Sequence, residues 1–144
     1  AYAPGNGDPN NFNLNDCSTQ RNLNVDGRKQ AKNIGKFFRK NKIKIYKVLS
    51  SEWCRCRETA DIAFKDFSTN SFLNSFYSSK YAKNKDKQVK ALNNYVKKFK
   101  NDKNLIFVTH YVLISEVLNY NPSSGEIVVT DKNFNIVGSV EIDY

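Results

Sequence analysis

The chain has 144 residues, of which 40% are hydrophobic and 13% aromatic, and its formal net charge is +9. This length is enough for one domain with one core but hardly for two. No hydrophobic run approaches the roughly 20 residues needed to span a bilayer, and the polar, turn-rich beginning shows no signal peptide. We therefore expect no membrane span and favour a cytoplasmic location. A periplasmic location would require a signal peptide upstream of residue 1.

The positive charge comes mainly from lysines spread over residues 29–44 and 80–103. A net positive charge can attract nucleic acids, anionic surfaces or anionic substrates. No RNP-like aromatic motif or zinc-finger spacing accompanies these lysines. We therefore expect a solvated lysine surface and no nucleic-acid partner. A basic nucleic-acid-binding domain is kept as an alternative from another functional class.

Three cysteines, Cys17, Cys54 and Cys56, are an odd number and too few for a disulfide scaffold. Cys54 and Cys56 stand only two positions apart, and one histidine is available to complete a site, so no shared metal is expected. The interpretation that we favour is reduced structural thiols. A bridge from Cys17 to one of the other two is the alternative in an exported protein.

The first half of the chain begins with a loop over residues 1–20 that is rich in Gly, Pro, Asn and Asp. Loops of this length in a domain are usually functional or disordered. A helix is predicted to open at Asp26-Gly27, because apolar or small residues then recur at helical spacing: Ala31, Ile34, Gly35 and Phe38. A short buried strand over residues 45–49 and a helix over residues 52–64 follow.

The second half continues the alternation of helices and strands after a broken pattern over residues 65–86, where we predict a loop with one helical turn. The later elements are a helix over residues 87–100, a strand over 105–108, a helix over 112–118 and a hairpin of strands over 126–130 and 134–142. The continuous apolar run of the 105–108 strand is typical of a central strand covered on both faces. Together these elements predict an α/β sandwich.

Two strand-to-helix turns carry candidate chemistry: Ser50-Ser51 before Arg55, and Thr109-His110 before the next helix. Ligands of open α/β sheets bind beyond the carboxyl ends of the strands, so we expect Arg55 and His110 to lie near each other. Helix N-terminal N–H groups with a guanidinium form a good anion site. A histidine there can bind an anion, move a proton or act as a nucleophile, or it can merely cap the helix.

Four short motifs stand in the order and spacing of a known family. The stretch SSEWCRCRETA at residues 50–60 matches S-S-x-x-x-R-x-x-E-T-A, and THY at residues 109–111 matches a T-H-G-type motif, with Tyr where Gly is common. DGRKQA at residues 26–31 is similar to a G-x-Q-A helix start, with one more residue between the glycine and the glutamine, and RNL at residues 21–23 is similar to an R-x-L approach. The chain thus resembles the small phosphatase branch of the histidine phosphatases, the phosphoglycerate-mutase-like superfamily.

The resemblance implies one domain over residues 1–144, a three-layer α/β/α sandwich whose central mixed sheet has mainly parallel strands. The nucleophilic histidine of the family lies in an Arg-His-Gly motif after the first strand, and the only histidine here is His110. The opening AYAPGNGDP resembles the segment on the carboxyl-terminal side of that motif. We therefore expect the nucleophile and the first strand immediately upstream of residue 1, with that strand flanked by the strands that end at Ser50 and Thr109.

The resemblance also implies roles for particular residues. The upstream histidine would form a phosphohistidine that water hydrolyses, with no cofactor and no metal. Arg55 and His110 would be catalytic and would bind the phosphoryl group, with Asn6 and Arg21 completing the phosphate site. Three acidic residues are candidate proton donors, although each can instead open a strand or cap a turn: Glu126, Asp8 and Asp16.

The function implied is a phosphatase that hydrolyses a phosphomonoester or phosphoramidate of a small molecule or a protein. The size of the chain favours a phosphatase over a mutase, which must retain and reorient a bisphosphate intermediate. A catalytically inactive domain of the same fold that binds a phosphate ligand is the first alternative. The substrate and the oligomeric state are left open.

Overall fold

The helices and strands follow the predicted order in a computed structural model that describes residues 1–144. The four helices are α1 (Val25–Lys40), α2 (Cys54–Phe64), α3 (Lys85–Lys98) and α4 (Tyr111–Leu118). The five strands are β1 (Ile45–Ser50), β2 (Ser68–Thr69), β3 (Asn104–Val108), β4 (Ile127–Thr130) and β5 (Ile136–Val140). The sequence did not predict β2, because a strand of two residues carries no periodic pattern. No helix has the length and apolar character required to cross a membrane.

Strand β1 is the centre of a three-stranded parallel sheet with the order β2-β1-β3. Leu49 of β1 is aligned with Phe107 of β3, and Ser50 with Val108. The prediction that a further strand separates the strands ending at Ser50 and Thr109 is therefore wrong, since these strands pair directly. The error has a physical reason: apolar residues show that a strand is covered on its faces, but they do not identify its edge neighbour.

Helices cover both faces of this sheet. On one face Leu49 packs with Leu92 of α3 and Leu113 of α4, while the other face carries Ile34 of α1 and Ala63 of α2. Successive side chains of β3 join opposite clusters, as the alternation of a strand requires. The predicted α/β fold with helices on both faces of a mainly parallel sheet is confirmed.

The antiparallel hairpin of β4 and β5 forms a separate sheet beside β3. Ile127 of β4 and Ile106 of β3 pack on the same cluster, although no backbone hydrogen bonds join the two strands. The side-chain amide of Gln30 in α1 holds the hairpin by donating to the carbonyl oxygens of Ser124 and Ile142. The apolar residues of β3 are only partly buried, in contrast to the predicted central strand.

A disulfide joins Cys17 to Cys54, whereas Cys56 is a free, buried thiol. The favoured interpretation of three reduced thiols is thus wrong, and the alternative of a bridge from Cys17 holds for Cys54. Two positions on a helix are about 200° apart, so Cys54 and Cys56 face different sides of α2. Only Cys54 meets the loop that carries Cys17, and sequence spacing could not place that loop.

Candidate functional site

The floor of the candidate site is the Ser50-Ser51 turn at the end of β1. Both serines are completely buried. The backbone N–H of Ser51 donates to the carbonyl oxygen of Val108, which joins the ends of β1 and β3. The Oγ atom of Ser51 accepts a hydrogen bond from the backbone N–H of Trp53 and lies 2.8 Å from Nε2 of His110. Small hydroxyl side chains therefore link the two strand-to-helix turns.

Arg55 and His110 lie next to each other, with Nη2 of Arg55 at 3.4 Å from Nδ1 of His110. His110 is 7% exposed and packs edge-on against Trp53, with ring centroids 5.4 Å apart. Burial, followed by the charges of Arg55 and Arg21, holds the pKa of His110 well below its usual value. At neutral pH the imidazole is therefore uncharged. The structure thus brings together the two residues that the sequence placed on one rim.

The carboxylate of Asp8 forms an ion pair with Arg55, with 2.9 Å between Oδ1 and Nη1. Oδ1 also accepts from the backbone N–H of Arg21 at 3.0 Å, and Oδ2 accepts from Nε1 of Trp53 at 3.0 Å. Burial raises the pKa of Asp8, but the hydrogen bond from Arg21 and the charge of Arg55 outweigh burial, so the pKa is lowered. An ionised carboxylate has no proton to donate, which weighs against Asp8 as the proton donor.

The guanidinium of Arg21 binds backbone carbonyl oxygens of the loop over residues 1–20. Its Nε donates to the carbonyl oxygen of Gly7 at 2.7 Å, and its Nη1 donates to that of Ala3. Asn6 is exposed between Gly5 and Gly7, whose φ angles are +95° and +64°, and it makes no hydrogen bond to Arg55 or His110. The guanidinium of Arg21 therefore binds the backbone of this loop, Asn6 is exposed within it, and phosphate binding by either residue stays a prediction.

The first residues run along α1 and α2 into the site. The backbone nitrogen of Ala1 lies 3.1 Å from Oγ1 of Thr59 in α2, and the backbone N–H of Tyr2 donates to Oε1 of Gln30 at 2.8 Å. A Cβ atom at Gly27 would lie 1.9 Å from the carbonyl oxygen of Tyr2. The spacing of Gly27 and Gln30 in the DGRKQA motif thus has a structural reason. The absence of a side chain at Gly27 leaves room for the backbone of Tyr2, and Gln30 binds the Tyr2 N–H.

The other two candidate proton donors are engaged in local turns. Asp16 accepts hydrogen bonds from the backbone N–H and the hydroxyl of Ser18, which caps a 3-10 turn over Cys17–Thr19. Glu126 accepts from the hydroxyl of Tyr120 and from the backbone N–H of Ser123. Neither carboxylate is hydrogen-bonded to Arg55 or His110, so their catalytic role stays a prediction that this geometry does not support.

Several site residues were not identified from the sequence, because their roles arise from contacts between distant segments. Trp53 donates a hydrogen bond to Asp8 and packs against the ring of His110. Oε1 of Gln20 accepts a hydrogen bond from the backbone N–H of Cys54 at the start of α2. The thiol of Cys56 lies 3.7 Å from Nε2 of His110, and burial raises the pKa of this thiol. Nothing in local spacing signals these contacts.

We expect the free energy of unfolding to fall as the pH drops below about 6.5. The unfolded chain binds a proton at His110 near that pH, whereas the folded chain, with its lowered pKa, does not. Stability then declines by up to ~1.4 kcal/mol per pH unit until the pH reaches the folded pKa. Urea unfolding between pH 7.5 and 5 checks this. His110→Gln should have the flatter profile, and identical slopes for both proteins would refute the assignment.

The family model described as histidine phosphatase superfamily (branch 1) matches residues 13–73. This segment contains α1, β1, α2 and both ends of the Cys17–Cys54 disulfide. No curated protein matches the chain in sequence.

Solved structures with a similar fold include TTHB049 from Thermus thermophilus, with a TM-score of 0.60 and 15% identity over 85% of each chain. A putative alpha-ribazole-5'-P phosphatase from Escherichia coli str. K-12 substr. MG1655 has a TM-score of 0.56 and 15% identity, over 84% of this chain and 83% of that chain. The open reading frame Rv3214 from Mycobacterium tuberculosis has a TM-score of 0.50 and 14% identity, over 69% and 68%. At such identities the similarity shows the fold alone.

Proposed function

We propose that this chain, which has the fold and the sequence motifs of the histidine phosphatase superfamily, is a phosphatase domain over residues 1–144. Its substrate would be a phosphomonoester or phosphoramidate of a small molecule or a protein. The observation that carries the proposal is the contact between Arg55 and a buried, uncharged His110 at the joined ends of β1 and β3. Ligands of α/β sheets bind at this end of the strands.

The geometry of Arg55 and His110 suits a phosphoryl group. Nη2 of Arg55 and Nδ1 of His110 are 3.4 Å apart, so one oxyanion can accept hydrogen bonds from both side chains. Nε2 of His110 is held by Ser51, which fixes the ring. The negative charge of a bound phosphoryl group would offset the nearby guanidinium charges and favour protonation of His110. Both residues then stabilise the charge of the transition state.

The attacking group in the proposal is the histidine that the family resemblance implies immediately upstream of residue 1. A segment upstream of residue 1 would lead into Ala1, whose backbone nitrogen lies 3.1 Å from Oγ1 of Thr59 in the helix that carries Arg55. A histidine nitrogen there would attack phosphorus while the bond to the leaving group breaks, and the leaving group takes a proton. Water would then cleave the phosphohistidine and release inorganic phosphate.

A second candidate is a domain that binds a phosphate ligand without hydrolysing it. Within residues 1–144 the only histidine is His110, which is buried and has Nε2 within hydrogen-bond distance of Ser51. That ring is well placed to bind an anion and poorly placed to attack one.

The test is hydrolysis of p-nitrophenyl phosphate by the protein expressed as its gene encodes it, with anything upstream of residue 1 retained. We expect hydrolysis that EDTA does not abolish and an acid-labile, alkali-stable phosphoenzyme in a rapid quench. His110→Ala should lose activity by about 100-fold or more, and Lys29→Ala on the exposed face of α1 should not. Full activity of His110→Ala would contradict the mechanism, and phosphate binding without turnover would favour the second candidate.

A further inference from the structure

Asp8 accepts three hydrogen bonds through one carboxylate and so joins the start of α2 to the segment around Arg21. It accepts hydrogen bonds from Arg55, which is 47 residues away in sequence, from Trp53, which is 45 away, and from the backbone N–H of Arg21. The ion pair with Arg55 is well shielded, because the two side chains are only 11% and 16% exposed. Such shielding strengthens the attraction relative to that of a surface pair.

The contact with Arg55 does more than anchor the loop. Residue 8 is also held by the hydrogen bonds from Nε1 of Trp53 and from the backbone N–H of Arg21. The guanidinium of Arg55, by contrast, has few other partners: Nη1 also lies 3.4 Å from the carbonyl oxygen of Arg21, and Nη2 faces His110. The hydrogen bond to Asp8 is therefore the main contact that sets the orientation of the Arg55 guanidinium.

We propose that Asp8 is a positioning residue that holds Nη1 of Arg55, so that Nη2 is directed with His110 at the phosphoryl group. The proposal rests on the proposed phosphatase function. A negative carboxylate in a phosphate site weakens ground-state binding of an anion, so its benefit must come from orientation. Binding that is realised in the transition state raises kcat rather than lowering KM. A misplacement of a binding group by about 1 Å can cost about 100-fold in rate.

The experiment compares Asp8→Asn with the wild-type protein, expressed with anything upstream of residue 1 retained, on p-nitrophenyl phosphate and on an alkyl phosphate. We expect kcat to fall about 100-fold on both substrates, while KM and the inhibition constant of inorganic phosphate do not rise. Thr19→Val is the control, since the Thr19 hydroxyl accepts the backbone N–H of Asn13 in the same loop without touching Arg55. This control should keep kcat within about twofold.

The leaving group separates positioning from proton donation. Nitrophenolate departs without a proton, whereas an alkoxide needs one. If Asp8→Asn slowed only the alkyl phosphate and removed the basic limb of its pH profile, Asp8 would be the proton donor and the proposal would be overturned. An unchanged kcat on both substrates would also overturn it, while a wild-type protein without turnover would remove the proposed function instead.

A second variant covers the case in which Asp8→Asn does not fold. Asp8→Glu keeps the charge but lengthens the side chain, which turns the Arg55 guanidinium away from its present direction. The same loss of kcat on both substrates with an unchanged KM would support positioning. Wild-type kcat in Asp8→Glu would contradict positioning, since a merely charged neighbour would then suffice.

Discussion

Replacing Arg55 by alanine should lower kcat/KM for a phosphomonoester by about 1,000-fold or more in the protein expressed with anything upstream of residue 1 retained. An arginine that neutralises a transferring phosphoryl group is worth roughly 10³ to 10⁵ in rate. Arg55 is the residue in α2 that faces both His110 and Asp8, and its side chain is only 11% exposed. The guanidinium of Arg21 is not free to replace it, because it is bound to loop carbonyl oxygens.

Two further variants make the Arg55 prediction specific. Arg57→Ala removes an exposed arginine of the same helix and should leave kcat/KM within about threefold. Arg55→Lys keeps the charge but loses the bidentate fork, so its activity should lie between those of the wild type and Arg55→Ala. Thermal unfolding of each variant shows whether the loss reflects folding, because Arg55→Ala also leaves the Asp8 carboxylate without its ion pair. Activity above about one tenth of wild type in a folded Arg55→Ala would exclude the assigned role.

Local spacing was sufficient to predict the helices, the main strands and the contact between Arg55 and His110. The reason is that each strand-turn-helix unit places the residues after its strand at the carboxyl end of the sheet, independently of how other segments fold. The motif at residues 50–60 lies inside the segment over residues 13–73 that the histidine phosphatase superfamily model matches, whereas the motif at residues 109–111 lies outside it. Both predictions rest on short motifs that are each local in sequence, although Arg55 and His110 themselves are 55 residues apart.

The features that the sequence did not predict depend on how distant segments meet. The direct pairing of β1 with β3 depends on which strand edges meet in the sheet, and a pattern of apolar residues does not show which strands are neighbours. The engagement of Asp8 with Arg55 depends on the path of an irregular loop. That path is set by loop contacts such as the hydrogen bonds from Arg21 to Ala3 and Gly7. The roles of Asn6 and of the upstream nucleophile stay predictions.

Reducing the disulfide between Cys17 and Cys54 should lower the free energy of unfolding by about 3–4 kcal/mol. The two cysteines are 37 residues apart, and a covalent link over that span removes much of the freedom of the unfolded chain. Cys17 is exposed, so a reductant can reach the bond. Urea unfolding with and without tris(2-carboxyethyl)phosphine measures the difference. Cys17→Ser should already be destabilised and should not respond to the reductant, and an unchanged wild-type midpoint would refute the prediction.

The disulfide also lies at the candidate site, because Cys54 directly precedes Arg55 at the start of α2. The disulfide anchors the segment that carries Gln20 and Arg21. Oε1 of Gln20 accepts a hydrogen bond from the Cys54 backbone N–H, and the backbone N–H of Arg21 donates to Asp8. If the bridge holds this loop against α2, reduction should lower kcat through the same loss of Arg55 orientation that we expect of Asp8→Asn. If the polar contacts alone suffice, the reduced protein should lose stability and keep kcat at temperatures well below its unfolding midpoint. Measuring kcat at 15 °C before and after reduction therefore separates a covalent contribution to the fold from a covalent contribution to catalysis.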